Sequence, residues 1–183
     1  ALREAGELDA LERHLRKQVD RHAEPDLRAE LLERLIAVIE QDEALDRRHA
    51  ELAELLEELL VLRPEHTTAM LILGNLRAEQ GDAAQARQLW SLAGERLDTD
   101  DPRFAGPALE LARHALELGE LASARQLIDR ARRVDAHDPQ ALALLAALAE
   151  ASDDASLSLV AARARLERID PRASDEQRAE LEW

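Results

Sequence analysis

The sequence predicts an all-α chain in which antiparallel helix pairs stack into an α-solenoid. Three observations support this fold class. Ala, Leu, Glu and Arg dominate the composition, whereas aromatic residues make up only 2% and Gly and Pro number six each. Apolar residues recur at spacings of three and four, which is typical of amphipathic helices. A fixed series of small and large residues also occurs twice, which indicates structural repeats.

The repeated series places small and large residues at matching positions of two successive helix pairs. Its first copy consists of Leu73, Gly74, Gly81, Ala86, Trp90 and Ala93. Its second copy consists of Leu111, Ala112, Gly119, Ala124, Ile128 and Ala131. In both copies the step from Leu to Gly is eight residues, followed by steps of five, four and three. This spacing predicts that the helices of each pair cross tightly, with the large residue in the core.

Ten helices are predicted in order along the chain. The first covers residues 9–21 and follows Gly6, which we interpret as a turn glycine. The next eight cover 25–41, a segment carrying Leu52 to Leu62, 65–78, 82–97, 102–118, 120–134, 139–151 and a segment ending at residue 169. A charged turn is predicted at residues 42–47. A capping-box pattern over residues 174–177 predicts a short final helix.

Pro and Gly residues set several of these boundaries. Pro25 and Pro139 lie in predicted first turns, where the missing N–H of proline costs little. Pro64 ends the third helix, because the residue before a proline avoids the α region. Gly119 separates the two helices of the second copy.

The predicted helices form four pairs with partial units at both ends. We predict a partial unit at 1–28, repeats at 29–66, 67–104, 105–138 and 139–173, and a terminal partial or capping helix at 174–183. The repeats contain 38, 38, 34 and 35 residues. The additional residues of the second repeat fall around 96–100, where they either lengthen a turn or add about one helical turn. Residues 1–183 are interpreted as one solenoid, and we expect it to be a fragment of a longer array.

The two copies and the 34-residue period resemble the tetratricopeptide repeat (TPR) family. Pro64 and Pro102 stand where that family closes a repeat, and Asp153 replaces the usual Gly in the last pair. The resemblance covers about residues 27–171. It implies a right-handed superhelix whose first helices line a concave groove. It also implies a non-catalytic scaffold that binds a peptide or a helix in that groove.

The resemblance identifies one stripe of side chains on the first helices as the candidate groove. The predicted partner-binding residues are Arg34, Leu71, Asn75, Glu79, Glu110, Arg113, Glu117, Leu144 and Glu150. The stripe mixes charges with two leucine anchors, so it suits an amphipathic or extended segment. An ordinary solvated helix face is the alternative interpretation.

One family ligand is disfavoured by the residues present. Family members that bind the acidic C-terminal tails of chaperones use a Lys/Asn/Asn/Lys/Arg set on their first helices. Only Asn75 and Arg113 match that set, and the lysines are missing. We therefore do not expect this chain to bind such a tail.

Charge and composition exclude several other functions. The net charge of −15 argues against nucleic-acid binding, which needs a surplus of Lys and Arg. The absence of Cys excludes disulfides and thiol catalysis. No run of about 18 apolar residues is present, so we expect no membrane insertion in this segment. The compartment stays open between cytoplasm and periplasm.

No pattern indicates an enzyme, a cofactor or a metal ion. The six His residues form no His-x-x-x-His pair, and the sequence has no Gly-rich phosphate loop. Asp98, Asp100 and Asp101 lack the Gly and the final Glu of a calcium loop.

The predicted function is therefore a protein–protein interaction scaffold that needs no cofactor. The alternative is a structural spacer or self-assembling segment of a larger, envelope-associated protein. Such a segment would associate through uncapped ends, because the terminal repeats of an array expose apolar faces unless a capping repeat covers them.

Overall fold

The computed structural model describes residues 2–41 and 48–169, and every long regular element within them is an α-helix. This confirms the all-α fold class. The helices are α1 (Leu2–Arg21), α2 (Pro25–Ile39), α3 (His49–Leu62), α4 (Thr67–Glu79), α5 (Ala83–Gly94), α6 (Ala105–Glu117), α7 (Leu121–Val134), α8 (Pro139–Ser152) and α9 (Ala155–Ile169). A short 3₁₀ helix, Pro102–Phe104, precedes α6.

Three predicted helix boundaries differ from the structure by three residues or more. Helix α1 begins at Leu2, so Gly6 lies inside a helix and not in a turn before one. Helix α5 ends at Gly94 and not at residue 97, and α6 begins at Ala105, after a short 3₁₀ helix that starts at Pro102. The predicted turn at 42–47 and the predicted helix at 174–183 lie outside the described residues.

The chain divides into two compact units, residues 1–93 and residues 94–183. The division falls within the predicted repeat at 67–104. The repeat boundaries themselves stay a prediction.

The core of the first unit is built from leucines and isoleucines on the facing sides of α1 to α4. Helix α2 packs against α1 and α3, and α3 packs against α4. Each helix contributes residues three or four apart, which places them on one face. Fully buried members include Leu32, Leu35, Ile39, Leu52, Leu56 and Leu59.

Helix α5 crosses α4 at a glycine. A Cβ atom on Gly74 would lie only 2.5 Å from Nε1 of Trp90, so the missing side chain makes room for the indole. Trp90 is buried and donates a hydrogen bond from Nε1 to Oδ1 of Asn75, 3.1 Å away. Ala86, one turn earlier on α5, is completely buried. The predicted tight crossing and the core position of Trp90 are confirmed.

Ion pairs between helices surround the core of the first unit. Glu12 on α1 accepts hydrogen bonds from both terminal nitrogens of Arg48, at 3.0 and 2.7 Å. These bonds hold the pKa of the Glu12 carboxyl at about 2, well below its ordinary value. Arg16 and Glu51 join the same cluster. Further pairs connect α2 to α3 and α3 to α4: Arg28–Glu58, Glu33–Arg63 and Glu57–Arg77.

The core of the second unit contains more alanine. Helix α7 packs against α6 and α8, and α8 also packs against α6 and α9. Ala112 on α6 and Ile128 on α7 are both fully buried in this core. They occupy the positions that Gly74 and Trp90 hold in the first copy of the series.

Three helix ends share one turn geometry. Gly81, Gly119 and Asp153 follow α4, α6 and α8 with positive φ angles of 84°, 76° and 53°. In each turn the next N–H bonds to the carbonyl five residues earlier, at 2.8, 2.8 and 3.0 Å. This is the Schellman arrangement, which satisfies carbonyls at the end of a helix. Asp153 therefore takes the backbone conformation that glycine takes in the other two turns.

A long connection between α5 and α6 is held by one arginine of α7. Arg130 donates hydrogen bonds to the carbonyl oxygens of Gly94, Leu97 and Asp98 at 2.7 to 2.8 Å. Its guanidinium also lies 4.1 Å from the ring centroid of Phe104, within cation–π range. Burial lowers the pKa of the Arg130 guanidinium below its ordinary value. The additional residues predicted near 96–100 thus form an anchored loop.

Candidate protein-binding surfaces

Helices α6 and α8 form the candidate surface of the second unit. They run in the same direction, because α7 returns the chain between them, and they are in contact. Gln140 at the start of α8 donates from Nε2 to Oε1 of Glu110 on α6, with the atoms 3.4 Å apart. This contact joins the predicted residue Glu110 to the start of α8, the helix that also carries the predicted residue Leu144. We call this strip of Glu110, Arg113, Glu117, Gln140 and Leu144 the α6–α8 surface.

The α6 edge of this surface is charged and accessible. Arg113 is ion-paired to Glu110 one turn away, and 59% of its side chain is exposed. The hydrogen bond from Arg113 to Glu110 raises the pKa of the guanidinium, so the group is a permanent cation. Glu117, one turn further, lies 3.5 Å from Nδ1 of His114 and is mostly exposed. The edge therefore carries two carboxylates and one arginine.

The α8 edge is apolar. Leu144 is half-buried, with part of its side chain packed on the core of the second unit. Ala143 and Ala147 beside it are exposed. Small side chains around a partly exposed leucine leave room for an apolar group of another molecule, next to the charged edge.

Glu150 lies elsewhere, in a groove between α8 and α9. We call this groove of about 720 Å³ the α8–α9 groove. Its lining residues are Ala149, Glu150, Asp153, Asp154, Ala155, Ser158, Leu159 and Ala162. Three of them are carboxylates and none is basic, so the groove is acidic.

Arg34 lies in a groove of the first unit, between α1 and α2. We call this groove of about 500 Å³ the α1–α2 groove. Its lining residues are Leu11, His14, Leu15, Gln18, Leu31, Arg34, Ala37 and Val38. No carboxylate lines it, although the chain contains 39 acidic residues.

The other predicted residues of the first unit lie on α4, in three different environments. Leu71 is only 4% exposed, so it is a buried side chain and not an accessible anchor. The reason is that α4 is buried on most of its circumference, including Met70 and Leu73 on either side of this residue. Asn75 is exposed but accepts the hydrogen bond of Trp90. Glu79 is exposed and lies 3.4 Å from Nδ1 of His49.

Sequence reasoning missed several residues that line these surfaces. Gln140 and Leu11 were not singled out, because a polar residue in a first helical turn and one leucine of an amphipathic stripe have no distinctive spacing. His14 likewise carries no motif, and only its proximity to Arg34 in the α1–α2 groove makes it notable. Leu11 is notable because it is a large apolar side chain that stays exposed in the folded chain. No sequence pattern distinguishes it from the buried leucines of the same helix.

Within the described part of the chain, no group of three or more His, Asp or Glu residues is arranged to hold a metal ion. The helices in those same ranges also include none with both the length and the apolar character needed to cross a bilayer.

Comparison with known proteins agrees with this architecture. A family model described as tetratricopeptide repeat matches residues 93–148. A solved structure of PilF from Pseudomonas aeruginosa is 22% identical with a TM-score of 0.56, over 94% of this chain and 82% of that chain. A Podosopora anserina kinesin light chain structure with nearly identical TPR-like repeats is 19% identical with a TM-score of 0.54, over 89% and 87%.

At these identities the two structures are similar to this chain in fold. No curated protein matches the chain in sequence. Tetratricopeptide repeats generally serve protein–protein interaction and are generally non-catalytic. The repeated series, the helix-pair architecture and the match at 93–148 agree: residues 93–148 match the tetratricopeptide-repeat family, and the chain has a TPR-like helical fold.

Proposed function

We propose that this chain is a non-catalytic scaffold that holds a segment of another protein on the α6–α8 surface. The observation that carries the proposal is the contact between Gln140 and Glu110, which joins α8, with its half-buried Leu144, to α6, with its charged edge. Such a surface offers a partner one apolar contact, at Leu144, and several polar side chains on rigid helices nearby. Both are preformed, so binding costs little ordering of the scaffold.

The charges of the surface suggest the chemistry of the bound segment. Glu110 and Arg113 are ion-paired with each other, whereas Glu117 lies 3.5 Å from Nδ1 of His114 and near enough to Arg113 to help raise the pKa of its guanidinium. Glu117 is the more exposed of the two carboxylates, so it is the one that we expect to pair with a cation of the partner. We infer a segment that presents an apolar side chain to Leu144 and a Lys or Arg to Glu117, one helical turn away.

The surface can be tested by selecting ligands from a library of random peptides displayed on phage, with the full chain immobilised. Selected peptides are then measured against variants by calorimetry. We expect Arg113→Glu to raise their affinity by up to about tenfold, because it removes a cation and adds a carboxylate beside Glu117, where the bound segment presents its Lys or Arg. Leu144→Ala should lower the affinity by about tenfold, because the apolar contact is lost.

Arg125→Glu is the matched control. Arg125 on α7 is 56% exposed and paired within its own helix, nearly as Arg113 is, but lies outside the α6–α8 surface. It should leave the affinity unchanged. Equal changes in affinity for Arg113→Glu and Arg125→Glu would contradict the surface, and so would selected peptides whose affinity is unaffected by every substitution on it. The groove roles of Arg34, Asn75 and Glu79 stay predictions that the same peptides would test.

A further inference from the structure

The two grooves described above have opposite electrostatic character. The α1–α2 groove has an apolar floor, with His14 and Arg34 as its ionisable side chains. The α8–α9 groove is lined by Glu150, Asp153 and Asp154. In a chain of net charge −15, a groove lined by an arginine, a histidine and no carboxylate is a place where another acidic surface meets less repulsion than at the acidic α8–α9 groove.

Each groove is bordered by aliphatic side chains that project into solvent. Leu11 borders the α1–α2 groove and is 45% exposed. Leu159 borders the α8–α9 groove and is 56% exposed, and its neighbour Val160 on α9 is also exposed. Clustered exposed aliphatic residues beside a groove are typical of an interaction surface, whereas single ones are ordinary.

We propose that these two edges bind each other between copies of this chain, so that α9 of one copy lies in the α1–α2 groove of a second copy. Leu159 and Val160 would cover the apolar floor formed by residues such as Leu15 and Leu31. In return, Leu11 of the second copy would enter the α8–α9 groove. Each edge supplies both a ridge and a groove, which is the requirement for helix packing.

The charges of the two grooves determine which edge of one copy binds which edge of the next. The carboxylates of the α8–α9 groove would meet Arg34 and His14, whereas two α8–α9 edges would repel each other. The contact therefore joins unlike edges and is heterologous. Unless the rotation between copies closes a ring, a heterologous contact adds further copies in a row. The α6–α8 surface takes no part in it, so this inference is independent of the proposed function.

Sedimentation velocity of the full chain over a wide concentration range tests the association. We expect the mean mass to rise with concentration, more steeply at about 0.1 M salt than at about 1 M, where the Debye length falls from about 10 Å to about 3 Å. Leu159→Glu should abolish association. Val61→Glu is the matched control, because Val61 on α3 is 79% exposed but lines neither groove. Circular dichroism verifies that both variants stay helical.

A charge exchange tests the pairing of edges. We choose Arg34→Glu and Glu150→Arg, since Asp153 and Asp154 also hold the turn between α8 and α9. Each variant alone should associate at least about tenfold more weakly, whereas an equimolar mixture of the two should recover association.

Four results would overturn the proposal. The first is a chain that stays monomeric at every concentration, as it would if its own residues 170–183 covered the α8–α9 groove. The second is a mixture that behaves like its separate components. The third is loss of association in Val61→Glu to the same degree as in Leu159→Glu. The fourth is association that grows stronger with salt.

Discussion

The helix pairs α4–α5 and α6–α7 carry the two copies of the same residue series, yet they fill the helix crossing differently. In the first copy, Gly74 leaves space that the indole of Trp90 fills. In the second copy, Ala112 and Ile128 divide the same space between two medium side chains. The comparison teaches that the series specifies which positions meet at the crossing, whereas the sizes of the two side chains differ from one helix pair to the other.

A second difference lies one residue before the last alanine of each copy. Arg130 on α7 corresponds to Leu92 on α5. The connection that precedes α4 is short, residues 63–66, whereas the connection that precedes α6 covers residues 95–104. A longer connection leaves more backbone carbonyls without helical partners, and Arg130 supplies donors for three of them.

The largest expected effect is at the crossing of the first copy. In an open helix interior, Gly→Ala stabilises by about 1 kcal/mol. At position 74 we expect the opposite sign, a loss of about 1 to 3 kcal/mol, because the new Cβ meets the ring of Trp90, which is fixed by its bond to Asn75. Urea unfolding followed by circular dichroism measures the change.

The sign should reverse when the indole is removed. In a Trp90→Leu background the Cβ has room, so Gly74→Ala should stabilise by about 0.5 to 1 kcal/mol. Gly74→Ala that destabilises equally in both backgrounds would show that the two residues do not share the space at the crossing.

Sequence reasoning predicted this contact but not the one made by Arg130. The positions of Gly74 and Trp90 follow from the repeated spacing, since a fixed spacing on two helices fixes which faces meet. The partners of Arg130 are backbone carbonyls, and a carbonyl carries no residue-specific signal in a sequence.

The burial of Leu71 was also not predicted from the sequence. Its helix is apolar on several sides, so no single stripe distinguished core from groove.

Four of the five residues of the α6–α8 surface were named from the sequence, and their role in binding stays a prediction. The repeat register places Glu110, Arg113 and Glu117 on one stripe of α6, and the structure has them on one edge. The assignment of Glu150 to the same stripe depended on extending that register into the last pair. There the series departs from its pattern, and Glu150 lies beside α9 in a different groove.

The next largest effect is at Arg130, the feature that only the second copy has. Arg130→Met keeps most of the buried aliphatic stem but removes the donors to Gly94, Leu97 and Asp98. We expect a loss of about 2 kcal/mol in the free energy of unfolding, since hydrogen bonds from charged groups contribute about 1.5 to 3 kcal/mol. Arg130→Lys should recover little of it, because an ammonium lacks the planar fork that spans several carbonyls.

Arg125→Met on the same helix is the control for Arg130→Met. Arg125 is exposed, with Nε 3.9 Å from a carboxylate oxygen of Asp129, so its replacement should cost less than about 0.5 kcal/mol. If both substitutions cost the same, the anchored loop contributes nothing, and the two copies would differ only at their crossings.

The smallest expected change in the free energy of unfolding is at the glycine turn, which both copies share. The helix pair α8–α9 has the same turn, so it can be included in the comparison. Asp153 holds the same left-handed conformation as Gly119, at a helix end where a carboxylate also faces the negative end of the helix dipole. Asp153→Gly should therefore stabilise by about 0.5 to 1 kcal/mol, the relief of backbone strain exceeding the added entropy of the unfolded glycine. Gly119→Asp, measured by the same urea unfolding, should destabilise by a similar amount. If instead both substitutions proved neutral, the shared turn would be a consequence of helix packing, and glycine at that position would be dispensable for the repeat.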